Sequence, residues 1–315
     1  MTAARVLCIG ECMAELSGDD GGTYRLGFGG DTLNTALYMA RLLGPGQVGY
    51  VTRLGDDPYS ARMRAGWEAE GIDCALVETV LGATVGLYAI DTDAKGERNF
   101  TYWRSSAPAR ELFTRGNWHM RAEAMASAEM VYLSGISLSV LPPEGRAQLI
   151  EAAGVAKAAG VFVAVDPNFR PCLWPRYEAA EWTARAYGAA TLALTSVAEE
   201  EVLFPGAGGK PPWGHLSGGG CTEVTAKAGA RGAVVATPER ISEIAAAQVD
   251  DVVDTTGAGD AFNAAYLAAR LKGLGPEAAA RRGCALGARV VAHRGAIIPR
   301  AAMEDLIAEF ADARG

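Results

Sequence analysis

The sequence predicts an α/β fold in which a doubly wound, mostly parallel sheet is flanked by helices and carries a small additional β-sheet. Short apolar runs alternate with segments of helical periodicity along most of the chain, which is typical of such a sheet. Residues 11–30 and 82–104 interrupt this alternation with short strand-like runs and turns. Because no repeat or linker divides the chain, we expect residues 1–315 to form a single domain with these two segments inserted into the α/β body.

Composition excludes several classes of protein. Of 315 residues, 50% are hydrophobic and 21% charged, and the net charge is -8, which disfavours a nucleic-acid surface. No run reaches 18 apolar residues and the N-terminus has no signal-peptide pattern, so we expect a soluble, cytoplasmic protein without membrane contact. The 6 cysteines include no C-x-x-C pair and only 3 histidines occur, which predicts buried reduced thiols rather than disulfides or metal clusters.

The first half of the chain contains the units that begin the main sheet. Asp31 or Thr32 is expected to cap its first helix, and a proline at an N-terminal position favours the start of the second. In order, the predicted elements are a strand at Arg5–Ile9, a helix with apolar positions from Leu33 to Leu43, a strand at Gln47–Arg53, and a helix from Asp57 to about Glu70.

Two strand-like runs, Val85–Ile90 and Arg98–Arg104, are joined by a polar turn and predict a hairpin. Side chains alternate across a strand, so Phe100, Tyr102 and Arg104 should share one face. Tyr102 and Arg104 are therefore expected to meet the same ligand. By itself, this position of Arg104 favours an ordinary solvated arginine.

Alternation resumes in the second half. Asn168 and Arg170 follow a strand at Val161–Val165, and ligands gather at the carboxyl ends of strands in doubly wound sheets. Residues 205–220 are rich in Gly and Pro and predict an exposed, mobile loop. The other predicted strands are Met130–Leu133, Thr191–Leu194, Glu223–Ala226 and Ala233–Ala236. The other predicted helices are at about Pro143–Ala159, from after Glu199 to about Phe204, at Pro276–Val291 and at Ala301–Ala313.

Two common nucleotide motifs are missing. Gly208, Gly209 and Lys210 suggest a Walker-type loop, but Pro211 occupies the Ser/Thr position and the first glycine is not at the required offset. No G-x-G-x-x-G follows the first strand, which counts against a nicotinamide dehydrogenase.

A glycine-rich turn at Asp254–Asp260 separates a β-like run, Gln248–Val253, from an apolar helix. The first N–H groups of a helix lack partners and carry the positive end of its dipole, so Gly257, Ala258 and Gly259 can surround an anion such as a phosphate. A carboxylate at Asp260 fits a base that takes a proton from a substrate hydroxyl. The alternative is that Asp260 only begins the helix.

Asp254–Asp260 resembles the D-T-x-G-A-G-D signature of the PfkB (ribokinase-like) carbohydrate kinases. Gly29–Ala36 resembles the Gly-Gly-x-x-x-Asn segment of that family. The Tyr-x-Arg at Tyr102–Arg104 and the Asn-x-Arg-Pro at Asn168–Pro171 resemble its 2-keto-3-deoxygluconate kinase subgroup. This resemblance implies a ribokinase-like fold in which residues 11–30 and 82–104 form a lid.

The resemblance also implies ATP- and Mg²⁺-dependent phosphorylation of 2-keto-3-deoxygluconate to its 6-phosphate. Asp260 would be the base, with Gly257, Ala258 and Gly259 at the phosphoryl group. Glu199 would hold Mg²⁺ through water, although Ser196 replaces the usual Asn of the family's Asn-x-x-Glu. The implied substrate ligands are Gly30, Asp31, Asn34, Tyr88, Tyr102, Arg104 and Arg170, and the implied nucleotide ligands are Asn168, Ser196, Lys227, Gly229 and Gly232.

Alternatives remain at this level. Tyr88 is compatible with packing inside the lid, and Lys227 with a solvated turn. Other ribokinase-like kinases act on fructose, ribose or 2-keto-3-deoxygalactonate, and a sugar-acid-binding regulator could use the same fold without activity. Exposed lid strands favour pairing with another subunit, so we expect a homo-oligomer.

Overall fold

The computed structural model describes residues 4–18, 22–92, 98–205 and 220–312. The strands are β1 Val6–Ile9, β2 Met13–Gly18, β3 Tyr24–Gly29, β4 Val48–Gly55, β5 Val77–Val80, β6 Leu87–Thr92, β7 Arg98–Trp103, β8 Met130–Ser134, β9 Phe162–Asp166, β10 Leu192–Ser196, β11 Glu223–Lys227, β12 Ala233–Ala236 and β13 Ile241–Ile244. The helices are α1 Asp31–Leu43, α2 Pro58–Ala69, α3 Trp118–Ser127, α4 Gly135–Val140, α5 Pro143–Ala158, α6 Arg176–Gly188, α7 Val197–Leu203, α8 Ala258–Leu271, α9 Pro276–Val291 and α10 Glu304–Asp312.

The main sheet has nine strands in the order β13-β12-β11-β10-β9-β8-β1-β4-β5. All neighbouring pairs from β5 to β11 are parallel, and only β12 and β13 join antiparallel. Helices α1, α2, α8, α9 and α10 pack on one face and α3, α5 and α6 on the other. Every residue of β1, β4 and β8 is buried, because helices cover both faces of a parallel sheet. This confirms the predicted doubly wound architecture.

A second, smaller sheet has four strands in the order β3-β2-β6-β7. Strands β2 and β6 are parallel at its centre, and the antiparallel pair of β6 and β7 is the hairpin that the sequence predicted. Phe100 and Tyr102 stack with ring centroids 6.3 Å apart, and the Arg104 guanidinium lies 5.8 Å from the Tyr102 centroid. The three side chains therefore share one face, as the alternation of the strand predicted.

Some expectations were wrong. Gln248–Val253 forms no strand; Val253 donates its N–H to Val291 O at 2.8 Å instead, and its side chain is 52% exposed. The N-cap of α1 is Gly30 without a side-chain hydrogen bond, so Asp31 and Thr32 lie inside the helix. All six cysteines are free, but Cys172 is exposed rather than buried as predicted.

Other expectations lie outside the described residues. The predicted loop at 205–220 falls almost entirely in the gap between 205 and 220, and most of the turn between β6 and β7 falls in the gap between 92 and 98. Within the described ranges, no helix combines the length and apolar character needed to cross a membrane.

Candidate active site

The glycine-rich turn forms the N-terminus of α8. Gly257 is the N-cap in the left-handed conformation, with φ of 75°, and a Cβ there would lie 2.7 Å from the Ala296 Cα. Asp254 fixes the turn, since its Oδ1 accepts from Thr256 N at 3.0 Å and its Oδ2 from Gly295 N at 3.0 Å. Glycine is therefore required at 257, where the turn leads into the first N–H groups of α8.

Asp260 stands in the first turn of α8, where an anion site would also lie. Its Oδ2 accepts a hydrogen bond of 2.8 Å from Asn34 Nδ2 in the first turns of α1. Burial of the carboxylate, and next the charge of Asp31, raise the pKa of Asp260 to about 8, although Asn34 and Lys227 act in the opposite direction. A carboxylate with this pKa is suited to accept a proton near neutral pH.

Asp31 begins α1 and is 8% exposed. Asn168 Nδ2 donates to its Oδ2 at 2.7 Å, whereas the buried Oδ1 has no hydrogen-bond partner among the described residues. Burial raises the pKa of Asp31, and its polar neighbours Ser134 and Asn168 lower it. A free acceptor oxygen beside the Gly30 N-cap fits the recognition of a sugar hydroxyl.

Asn168 adopts a left-handed backbone conformation with φ of 36°, which asparagine tolerates better than most residues. Its own N–H donates to Asp166 Oδ1 at 2.9 Å. This turn carries the side chain from the end of β9 toward α1.

Lys227, a predicted nucleotide ligand, forms a largely buried polar cluster with Asp166 and Asn263, neither of which the sequence pattern indicated as functional. Lys227 Nζ, at the end of β11, donates to Asp166 Oδ2 at 2.7 Å and to Asn263 Oδ1 at 3.1 Å. Asn263 Nδ2 donates to the same Asp166 oxygen at 2.5 Å. Asp166 and Lys227 each end an apolar strand, so the rule that located Asn168 and Arg170 could also have located Asp166.

Glu199 lies in the first turn of α7. Ser196 Oγ donates to its Oε2 at 2.7 Å and Phe169 N to its Oε1 at 2.9 Å. Burial, and next the charge of Asp166, raise the pKa of Glu199. Glu199 and Asp166 are partly or fully buried carboxylates that repel one another, and such a pair fits a nearby hard cation. Among the described residues, no group of three or more His, Cys, Asp and Glu is arranged to bind a metal ion directly.

Gly229 and Gly232 shape the turn between β11 and β12. Both have positive φ, 59° and 94°, and a Cβ at Gly232 would lie 2.0 Å from Ile244 O. Ala228 N donates to Gly232 O at 2.7 Å and closes the turn beside Lys227. The geometry explains why glycine is needed here, and a nucleotide role for these two residues stays a prediction.

One face of the small sheet carries an aromatic stack. The Tyr88 and Tyr102 rings lie 6.0 Å apart, and the Tyr88 hydroxyl donates to Glu15 Oε2. Burial, and next the neighbouring Cys172, raise the pKa of Tyr102, while the charges of Arg104 and Arg170 lower it. Arg170 is exposed and donates only to its neighbour Phe169 O at 3.3 Å among the described contacts. Tyr88, Tyr102 and Arg104 therefore share one face of the small sheet, and Arg170 follows the end of β9.

Arg104 also contacts Glu11, which lies two residues after the end of β1. The Glu11 side chain is 2% exposed and the Arg104 side chain 10%, so this ion pair is buried. No pattern in the sequence indicated Glu11 as a functional residue.

The structure thus joins most of the predicted residues through pairwise contacts.

Comparison with known proteins decides the family, because the family model described as "pfkB family carbohydrate kinase" matches residues 3–303. The chain belongs to this carbohydrate kinase family.

Among its relatives, a 2-dehydro-3-deoxygluconokinase from Dickeya dadantii (strain 3937) is 40% identical, and the match covers 96% of this chain and 99% of that protein. A 2-dehydro-3-deoxygluconokinase from Escherichia coli (strain K12) is 38% identical over 95% of this chain and 98% of its own length. Aminoimidazole riboside kinase from Salmonella enterica, solved with aminoimidazole riboside and an ATP analog, superposes with a TM-score of 0.79 at 25% identity and covers 98% of this chain and 99% of that one.

The arrangement in this pfkB kinase can perform proton abstraction next to an anion site. Asp260 offers a basic oxygen, and the N–H groups of α8 offer donors to phosphoryl oxygens. Lys227 lies close behind, because a Cβ at Gly259 would be 3.9 Å from its Nζ. A hydroxyl held near Asp31 and Asp260 would face both groups.

Proposed function

We propose that this protein is an ATP-dependent kinase that phosphorylates 2-keto-3-deoxygluconate at its terminal hydroxyl to give 2-keto-3-deoxy-6-phosphogluconate. The observation that carries the proposal is the carboxylate of Asp260 at the N-terminus of α8, with a pKa raised to about 8. The two 2-dehydro-3-deoxygluconokinase relatives, at 40% and 38% identity over nearly their whole length, support the choice of substrate.

In the proposed reaction, Asp260 accepts the proton of the terminal hydroxyl as its oxygen attacks the γ-phosphorus of ATP. The bond from that phosphorus to the bridging oxygen of ADP breaks, and the electron pair leaves with ADP. The N–H groups at Gly257, Ala258, Gly259 and Asp260 stabilise charge on the transferring phosphoryl oxygens. The Asn34 amide keeps the Asp260 carboxylate oriented through its bond of 2.8 Å.

Nucleotide and metal binding are assigned to the other side of the same cleft. Lys227, Asn168 and Ser196 are the proposed nucleotide ligands, with Gly229 and Gly232 shaping the adjacent turn. Glu199 would hold Mg²⁺ through water, which agrees with a carboxylate whose pKa burial and Asp166 raise. Bound Mg²⁺ would neutralise charge on the nucleotide phosphates.

The substrate carboxylate is assigned to the corner formed by Arg104, Arg170 and Tyr102. A carboxylate leaving water needs cationic or hydroxyl donors in return, and both guanidinium groups influence the pKa of Tyr102. Asp31, Asn34 and Gly30 would hold the sugar hydroxyls from below, and Tyr88 would line the same side from the small sheet.

The small sheet is proposed to be a lid that excludes water, which would otherwise compete as phosphoryl acceptor. Its opposite face exposes apolar side chains, with Trp103 57% exposed beside a cavity of about 560 Å³ that Leu16, Leu26 and Leu87 also line. We propose that this face pairs with a second copy of the chain. Six free cysteines agree with a proposed cytoplasmic location, because reduced thiols persist there.

One assay tests the function. Purified protein is incubated with ATP and Mg²⁺, and ADP release is measured with 2-keto-3-deoxygluconate, 2-keto-3-deoxygalactonate, fructose and ribose. The proposal expects the highest kcat/KM with 2-keto-3-deoxygluconate. A higher value with fructose or ribose would assign a neutral-sugar kinase instead, and binding of the sugar acid without any ADP release would assign a regulator.

A further inference from the structure

Glu11 lies in the main body directly beneath the small sheet. It lies two residues after the end of β1, and its backbone approaches Gly30 closely, since a Cβ at Gly30 would lie 2.3 Å from Glu11 O. Its side chain extends in the other direction and contacts Arg104, immediately after β7. A Cβ at Gly86 would be 3.2 Å from Glu11 Oε1 and 3.2 Å from Arg104 Cβ, so little space remains around the pair.

The pair is buried and incompletely satisfied. Glu11 Oε1 and Arg104 Nε are both inaccessible to solvent and have no hydrogen-bond partner among the described residues. The charged groups that face Glu11 are Arg104, Arg110 and Asp31. Ion pairs in such surroundings are costly to desolvate and are weak evidence for stability, which directs attention to a role in function.

We propose that Glu11 is a positioning residue that fixes the Arg104 guanidinium for the carboxylate of a sugar-acid substrate, without touching that substrate itself. The inference rests on the function proposed above. The Glu11 side chain is 2% exposed, whereas the Arg104 guanidinium also lies 5.8 Å from the Tyr102 centroid. Glu11 therefore holds one nitrogen of the guanidinium, and the group lies beside the ring where the proposed function puts the substrate carboxylate.

Charge balance supports this division of roles. Glu11 and the substrate carboxylate together carry two negative charges, and Arg104 and Arg170 carry two positive charges. When the acid is bound, these four charges cancel. When a neutral sugar is bound, one positive charge has no counter-charge in partly buried surroundings, which is unfavourable. Without Glu11, the long flexible Arg104 side chain would have to lose its rotational freedom when substrate binds.

The two consequences of removing Glu11 have opposite signs, so experiment can separate them. Loss of positioning weakens binding of the acid. Loss of a competing negative charge would strengthen binding of the acid. If Glu11 acts by positioning Arg104, the weakening of acid binding should dominate, because even a small displacement of a binding group weakens its contact with the ligand.

The test measures dissociation constants by calorimetry for 2-keto-3-deoxygluconate and for its neutral methyl ester. Glu11→Ala should weaken binding of the acid by about tenfold to a hundredfold and of the ester by less than about threefold. In an Arg104→Ala background, Glu11→Ala should cause no further loss, because its partner is absent. Equal weakening for both ligands, tighter binding of the acid, or additive losses would overturn the inference.

Two further variants keep the test decisive. Glu11→Gln retains an acceptor oxygen without the charge, so this variant should weaken acid binding by about threefold to tenfold. If Glu11→Ala does not fold, Glu11→Gln alone provides the test. Unchanged or tighter acid binding by Glu11→Gln would then overturn the inference. Glu178→Ala removes the partner of buried Arg146 between α5 and α6 and should leave both constants unchanged. If the wild type does not bind the acid, the proposed function fails and this inference with it; if the wild type binds and Glu11→Ala matches it, only the inference fails.

Discussion

The pH dependence of the proposed phosphoryl transfer follows from the environment of Asp260. Burial and then the charge of Asp31 raise its pKa to about 8, compared with about 3.9 for an ordinary aspartate. The ionised fraction is then about one half at pH 8 and about one hundredth at pH 6. Because only the ionised form accepts a proton, we expect kcat/KM for the sugar acid to fall about fifty-fold between pH 8 and pH 6. An unshifted aspartate would give a flat profile.

The assay is ADP release at saturating ATP and Mg²⁺, with the coupling system in excess at every pH. Asp31→Asn should move the midpoint of the profile to lower pH, since the charge of Asp31 is the second cause of the raised pKa. Lys227→Met should move the midpoint to higher pH, since the charge of Lys227 lowers the pKa of Asp260. Midpoints are independent of any loss in absolute rate that these variants also suffer.

The base itself is tested by Asp260→Asn, which preserves the size of the side chain but cannot accept the proton. Removing a general base costs about 10²- to 10⁴-fold in rate, so kcat should fall by that amount. The reasoning is refuted if the profile is flat between pH 6 and 8, if neither second variant moves its midpoint, or if the asparagine variant keeps its turnover.

Three further outcomes are expected. Because the pKa of Asp260 is raised, the folded state holds this proton more tightly than the unfolded state, so the unfolding free energy of the wild type should fall from about pH 4 to about pH 8. Urea unfolding at several pH values should show a smaller fall in this free energy for Asp260→Asn. An equal fall in both proteins would contradict the raised pKa. Glu199→Gln should raise the Mg²⁺ concentration for half-maximal activity by about tenfold while excess Mg²⁺ restores kcat, and an unchanged Mg²⁺ titration would remove Glu199 from the metal site. Gly232→Ala should cost more than about 3 kcal/mol of unfolding free energy, because its Cβ would meet Ile244 O at 2.0 Å, whereas Gly160→Ala, with φ of 90° and open space, should cost only about 1 kcal/mol; similar losses would show that backbone strain alone matters.

The strands of the main sheet could be predicted from sequence because helices cover both of its faces. Arg5–Ile9 and Met130–Leu133 are continuous apolar runs for that reason, and both correspond closely to observed strands. The same signal failed at Gln248–Val253, where Val252 and Val253 are 65% and 52% exposed and the Val253 N–H bonds to Val291 O in α9 rather than to a strand.

The candidate site could be predicted at its strand ends and helix starts but not in its pairings. Asn168 and Arg170 follow from their position after a strand, and Asp260 from the glycine turn before it. The partners of these groups could not be read in the same way, because Asp166 meets Lys227 and Asn263 across intervals that periodicity does not measure. Glu11 lacked any local signal beyond its place at a strand end, and its role emerges only from the contact with Arg104.

The bond between Asn34 and Asp260 joins positions separated by 226 residues. The amide is synthesised early and the carboxylate late, so the two meet only after nearly all of the polypeptide has left the ribosome. A nascent chain that stops before α8 lacks both the proposed base and the proposed phosphate-binding turn, and we expect it to consume no nucleotide.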